Sequence, residues 1–348
     1  MDRTDGLTAV RAFVVSGPGR YGVVELTDPR PGPGEVLIAP AAVGICGSDL
    51  ELLAGQRPAD FACYPIVPGH EWSGHVVELG AGVDGLEVGQ PVVAQGVRAC
   101  DRCDRCREGR SNLCAGAYAE TGFTHPGALA QRMTVPVALV HALPADRDIE
   151  PAALIEPAAC VASGLLEVGM PAAGSRVAVV GDGPLGLLAL QLLRLHTPAD
   201  LVMLGHRPDR VGYGEACGAT AVLVGAGGTE PELRGRFDLV VEATNSAPGA
   251  ATALALARRG GTVLLLGISG SARPALDPDV ISLGQLRVQG AFAAAPAAWR
   301  LVVALYAAGL FDPGALITHR FELAETPTAL AVLGDRGVKT LKVLIRPN

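Results

Sequence analysis

The run Arg176-Val-Ala-Val-Val180-Gly181-Asp-Gly183-Pro-Leu-Gly186 is an apolar, β-type stretch that enters a glycine turn, and Ala/Leu-rich helical text follows it. In that setting Gly181 permits the tight turn, Gly183 lets a pyrophosphate approach the backbone, and Gly186 lets helix and strand pack closely. Pro184 and Leu185, between the last two glycines, belong to the same candidate cofactor turn. Free helix N-terminal amides and the helix dipole would hold the phosphates. The strand before and the helix after distinguish this trio from a glycine turn in an ordinary α/β domain.

Working outward, residues 150–300 alternate apolar strand-like runs (176–180, 200–204, 237–242, 262–267) with helical text such as 185–195. That is the pattern of βαβ units in a doubly wound parallel sheet. Residues 7–143 read differently, as short β-type runs cut by Gly and Pro, for example 35–39 and 75–79, which predicts an irregular, barrel-like all-β domain. After residue 301 an amphipathic helix and the strand-like runs 317–321 and 340–345 suit a return to that first domain. A chain of 348 residues fits two domains of ~100–200 residues. The expected division is 1–157 with 301–348, and 158–300.

Composition removes several function classes. The chain has 28 Lys and Arg against 35 Asp and Glu, a net charge of −7 without a basic face, which argues against nucleic acid as a partner. No run of ~18 consecutive apolar residues suggests a membrane span. The start Met1-Asp-Arg-Thr-Asp5 is polar and lacks the apolar core of a secretory signal, so a cytoplasmic location is expected. Four of the eight cysteines fall within fifteen residues, which in such a chain favours metal over disulfides. Cys63, Cys160 and Cys217 stand alone and read as buried small hydrophobes.

Cofactor choice turns on the second strand of the sheet. About 20 residues past the glycines an acidic residue would hold the ribose hydroxyls of NAD. Here the strand ends in Gly205-His206-Arg207, with no carboxylate. Arg207 is placed to meet a 2′-phosphate, so NADP is favoured, although Asp209 lies close. His206 and Thr244 are further candidate cofactor contacts.

Two constellations point to metal. Cys100-x2-Cys103-x2-Cys106-x7-Cys114, within a lobe at about 96–115, suits the four-sulfur coordination of structural zinc, with Arg102, Arg105 and Arg107 available to offset charge. An iron–sulfur cluster or a thiol redox site is the alternative. The second constellation is Gly44-Ile-Cys46-Gly-Ser48-Asp49 with Gly69-His70-Glu71. A thiolate, an imidazole and a carboxylate can ligate zinc and leave a position open for substrate.

Taken together, Gly44-Ile-Cys-Gly-Ser-Asp49, Pro65-Ile-Val-Pro-Gly-His-Glu-Trp-Ser-Gly74, the cysteine lobe, the glycine turn and Val338-Lys-Thr-Leu-Lys-Val343 resemble, in order, the zinc-dependent medium-chain dehydrogenase/reductase family of alcohol and polyol dehydrogenases. The resemblance implies a GroES-like catalytic domain interrupted by a Rossmann domain, two zinc ions per chain, NAD(P), a small alcohol or ketone substrate, and a homodimer or homotetramer. It implies Cys46, His70 and Glu71 as ligands of a catalytic zinc, and Glu156 as a carboxylate that binds directly or through water. It also implies Ser48 as the proton-passing hydroxyl and Asp49 as the residue that orients His70. A carboxylate rather than a cysteine at position 156 points to the polyol, sugar and amino-alcohol branches. Residues 120–127, with Tyr64 and Trp72, are also similar to members that oxidise an amino-cyclitol of the 2-deoxy-scyllo-inosamine kind, and His125 is a candidate substrate contact there. A zinc-free quinone or enoyl reductase would not need the Cys46, His70 and Glu71 set. A non-catalytic NAD(P)-binding regulatory protein could lose it.

Overall fold

A computed structural model describes residues 9–225, 230–268, 276–335 and 337–348. The polar start at residues 1–5, and residues 7 and 8 of the β-type text, lie outside them. The chain divides into two units, Met1–Glu156 with Val303–Asn348, and Pro157–Val302.

In the first unit β1 (Ala9–Gly17) and β2 (Arg20–Thr27) form an antiparallel hairpin. The sheet beside it uses β3 (Glu35–Ile45), β4 (Glu71–Leu79), β5 (Pro91–Ala94), β6 (Met133–Pro136) and β7 (Val140–Ala142). The second unit supplies β8 (Arg176–Val180), β9 (Asp200–Gly205), β10 (Ala221–Val224), β11 (Phe237–Glu242), β12 (Ala257–Leu265) and β13 (Arg287–Gly290). The chain then returns to the first unit through β14 (Ile317–Glu322) and β15 (Lys342–Arg346).

The long strand β3 is the hub of the first sheet, whose order is β14-β15-β3-β4-β5-β7 with β6 also on β3. Its first half pairs with β6, its last residues pair with β15, and β4 runs along its other edge. Pro40 cannot donate to the ladder and falls at a register shift of the β3–β4 pair. Phe13, Val36, Ile38, Val43, Ile45, Trp72 and Val343 form the buried core. The unit is not purely β: the helix Gly47–Ala54 follows β3 directly. With only eight residues, it is too short for hydrophobic periodicity to separate it from a loop.

The second unit is a parallel sheet of order β10-β9-β8-β11-β12-β13, so the first strand in sequence lies at the centre and the order reverses beside it. This is the doubly wound sheet expected of the glycine turn. Val177, Ala178 and Val179 are fully buried, as a parallel strand covered on both faces requires. The helix Pro184–Leu193 is buried from Gly186 to Leu193 and acts as core rather than as an amphipathic cover. The run expected at 262–267 is longer, Ala257–Leu265, because Arg258, Arg259 and two glycines at its start hide a strand from hydropathy. Among the described residues no helix is long and apolar enough to cross a membrane.

Candidate functional site

Cys46 closes β3 and is the N-cap of the helix Gly47–Ala54. Its amide donates to Asp49 Oδ2 at 2.8 Å, and its sulfur accepts the Asp49 amide in return, a reciprocal cap that fixes the thiol at the positive end of the helix. The other carboxylate oxygen of Asp49 faces His70 Nδ1 at 3.6 Å, so one aspartate orients both a thiol and an imidazole. Ser48 Oγ lies 3.5 Å from His70 Nε2. Gly69, with φ of +99°, turns the chain so that His70 and Glu71 enter β4 beside the end of β3; a side chain at Gly69 would strike Val43 and the Leu129 amide.

Ligand atoms of Cys46, His70 and Glu71 lie within 4.8 Å of one another, a spacing that one ion at about 2.0–2.3 Å from each can bridge. His70 Nδ1 and Asp49 Oδ1 are buried without a hydrogen-bond partner. A cation on the opposite ring nitrogen would make Nδ1 a fixed donor and draw that pair together. Burial alone would depress the His70 imidazole, but Asp49 and Cys46 hold it well above its ordinary value. A cluster with this much negative character suits a divalent cation.

Glu71 is not a bare carboxylate. Its Oε2 is ion-paired with Lys342 Nζ of β15, and both side chains are buried. Gly44 lies opposite Glu71 on one edge of β3 and opposite Leu344 on the other, so the pair spans β3 where there is no side chain. A Cβ at Gly44 would overlap Glu71 Oε2 and stand 3.0 Å from Lys342 Cε. Burial lowers and Glu71 raises the Lys342 ammonium, and the ion pair wins. Lys342 was missed as a functional residue in the sequence; the signal was a single cation inside the apolar run Leu341-Lys-Val-Leu-Ile345.

Glu156 is not grouped with the Cys46, His70 and Glu71 ligand atoms; its charge acts on Lys342. Glu120 is a second residue missed as a charged group. Its side chain is buried, burial raises its carboxyl above the ordinary value, and His70 and Arg57 pull the other way. The Arg57 guanidinium stacks 3.7 Å over the Phe123 ring, which itself lies 4.7 Å from the His70 ring. Tyr64 donates its hydroxyl to the Leu52 carbonyl, and Trp72 belongs to the core. His125 is half-buried beside Thr124, at 3.3 Å.

The four-cysteine lobe is assembled as its spacing predicts. Cys100, Cys103, Cys106 and Cys114 bring their sulfurs within 4.8 Å of one another. Arg105 is engaged with Glu108 at 2.9 Å, and backbone amides point at the sulfurs: Ala115 at Cys103, and Cys100 and Gly116 at Cys114. The Ala115 and Cys106 amides pull the Cys103 thiol down to about 6. Lost hydration and then the neighbouring sulfurs push Cys106 up to about 12. Four thiolates this close need a cation, which is the fit for tetrahedral zinc. Of the lone cysteines, Cys217 is buried as expected, Cys160 is half-buried, and Cys63 is exposed with its thiol on the Thr124 carbonyl.

In the second unit the three glycines divide their work. Gly181 has φ of +127° and packs against Ala243, and Gly186 lies where a Cβ would overlap the Gly181 carbonyl oxygen. A Cβ at Gly183 would meet no atom of the described residues within 4 Å, so packing does not require a glycine there. Gly183 caps the helix Pro184–Leu193 without a side-chain bond, which leaves the Leu185 and Gly186 amides available to a phosphate. Thr244 stands beside Gly181 and bonds Glu242 and Ser246. His206 is exposed, and Arg207 is paired with Asp182.

Residues 32–145 match the alcohol dehydrogenase GroES-like domain family, and residues 149–344 match the glucose dehydrogenase C-terminus family. The chain is 31% identical to the erythritol/L-threitol dehydrogenase of Mycolicibacterium smegmatis, over 97% of this chain and 98% of that one. It is 32% identical to the L-galactonate-5-dehydrogenase of Escherichia coli, over 91% and 92%. A zinc-binding dehydrogenase of Sinorhizobium meliloti, solved bound to NADP, has the same fold with a TM-score of 0.91 at 30% identity, covering 98% of this chain and 100% of that chain. The chain belongs to the zinc-dependent medium-chain dehydrogenase/reductase family. Within that family it is an alcohol or polyol dehydrogenase.

Proposed function

We propose that the protein oxidises a secondary alcohol of a polyol, sugar, cyclitol or amino-alcohol to the ketone, reversibly, with NADP favoured over NAD. The observation that carries this is the convergence of Cys46, His70 and Glu71 around one buried aspartate, in a chain that also holds a glycine turn open to phosphate. Cys46, His70 and Glu71 would hold a catalytic zinc, with Glu156 acting directly or through water. When bound, the zinc supplies a Lewis acid that lowers the pKa of the substrate hydroxyl. Ser48 Oγ is the hydroxyl that takes the substrate proton and passes it toward solvent. Asp49 keeps His70 in the orientation that turns Nε2 to the metal, and Lys342 offsets the charge of Glu71.

Residues 1–157 with 301–348 would form the catalytic domain, with Cys100, Cys103, Cys106 and Cys114 holding a structural zinc. Residues 158–300 would bind NAD(P), the pyrophosphate on Gly181, Gly183, Pro184, Leu185 and Gly186, the adenosine end near His206 and Arg207, and Thr244 beside the turn. A homodimeric or homotetrameric cytoplasmic enzyme completes the reading. The test is metal analysis followed by reduction of NADP and NAD with a panel of polyols, sugars, cyclitols and amino-alcohols. Two zinc ions per chain and turnover of at least one secondary alcohol are expected. Zinc-loaded protein inert with every substrate class and both cofactors would overturn it.

A further inference from the structure

Asp182 lies between the first two glycines of the turn, and its carboxylate reaches across to the end of β9. Oδ2 accepts the amides of His206 and Arg207 at 2.8 and 2.9 Å, and Oδ1 accepts Arg207 Nε and Nη2 at 3.1 and 2.7 Å. The Asp182 side chain is only 10% exposed, whereas that of Arg207 is 47% exposed. Four N–H donors therefore fill a hidden carboxylate, and it has little capacity left for the hydroxyls of a ribose.

The glycine at the end of β9 makes this arrangement possible. A Cβ at Gly205 would lie 2.7 Å from both Asp182 Cβ and Asp182 Oδ2, so any side chain there would expel the carboxylate. The strand end that carries the ribose-binding acid in an NAD site is empty here, and an acid from the neighbouring turn occupies its space from within. Burial would raise the Asp182 carboxyl, but Arg207 and the two amides hold it below its ordinary value, so it stays charged. Of the five donors of a guanidinium, three face Asp182, Nε and Nη2 on Oδ1 and Nη2 also on the backbone carbonyl at 3.5 Å; Nη1 is left over, on a side chain that is fixed in direction and 47% exposed. A planar fork held in one orientation loses less freedom when it meets a phosphate.

We propose that Asp182 is the positioning residue that fixes Arg207 toward a 2′-phosphate and thereby sets the preference for NADP over NAD. The inference rests on the reading of Arg207 as the 2′-phosphate contact. Gly205 is part of the same device, because it makes room for the carboxylate.

Direct binding to the zinc-loaded protein tests it, with NADPH and NADH followed by fluorescence titration, and 2′,5′-ADP and 5′-ADP by calorimetry. The wild type is expected to favour the 2′-phosphorylated ligand of each pair by about tenfold or more, and Arg207→Ala to abolish the preference. Asp182→Ala and the near-isosteric Asp182→Asn are each expected to cut the preference by about fivefold while NADH binding stays within about twofold of wild type, a ratio that general damage to the turn would not move. Equal binding of both ligands by the wild type overturns the Arg207 reading and the proposal together. A wild-type preference that Arg207→Ala removes but both Asp182 variants retain overturns the role of Asp182 alone.

Discussion

At Gly44 the functional feature is an absent side chain. The strands on either side bring Glu71 and Lys342 over this one position, and their ion pair needs the space. Gly44→Ala should cost about 1–3 kcal/mol by overpacking and displace Glu71. The expected result is loss of one of two zinc ions with the lobe zinc retained, read by metal analysis beside unfolding curves. Cys46→Ser tests a neighbouring residue in a different way. It removes the thiolate but leaves Asp49 able to cap the helix, so turnover should fall by about a hundredfold or more while NADPH still binds. Steady-state rates and fluorescence titration check both halves, and retained turnover would rule out Cys46 as a ligand.

At the scale of the element, the cysteine lobe was legible from spacing because its four ligands sit in one loop. The structure adds that backbone amides face the sulfurs of Cys103 and Cys114. Backbone amides hold the Cys103 thiol down while lost hydration and the neighbouring sulfurs push the Cys106 thiol up, and zinc ligation needs thiolates, so the metal-free lobe must release protons when it binds zinc. Zinc affinity is therefore expected to fall as pH falls from 8 to 6, by about tenfold or more, in competition titrations with a chelator. Stripping this zinc should expose the lobe to protease before it alters the Cys46 site. The cluster of Cys46, His70 and Glu71 was legible only in part. Cys46, His70 and Glu71 stand in short motifs that can be read, but the register of β3, β4 and β15 alone brings Lys342 to Glu71.

Across the whole molecule, the first unit is made of two separate pieces of chain, and Glu150 ties them. Its carboxylate accepts Arg320 Nε at 2.7 Å and Arg346 Nε at 2.6 Å, from the last two strands. Burial would raise the Glu150 carboxyl, yet the two guanidinium groups hold it below its ordinary value. A depressed carboxylate contributes stability above its unfolded value and loses it as pH falls through the folded one. Glu150→Gln should thus cost about 1 kcal/mol at pH 7, a modest figure because both arginines are partly exposed, and less at pH 3, below the carboxyl's ordinary value. Denaturant unfolding at the two pH values measures the difference, and equal costs at both would disprove the pair's contribution.

The sequence by itself determined the features whose parts are close along the chain: the strand, glycine turn and buried helix around residues 176–193, and the four cysteines of one loop. Backbone geometry and metal-ligand spacing act over a few residues, so both can be read directly. It also placed a cation at Arg207, where a strand ends without an acid. Only the tertiary structure decided what that cation faces, because Asp182 reaches it across two strand ends and Gly205 leaves the space. The same holds for Lys342 on Glu71 and for Arg320 and Arg346 on Glu150. These pairs depend on strand order and register, which the packing of the whole chain sets and no local pattern encodes.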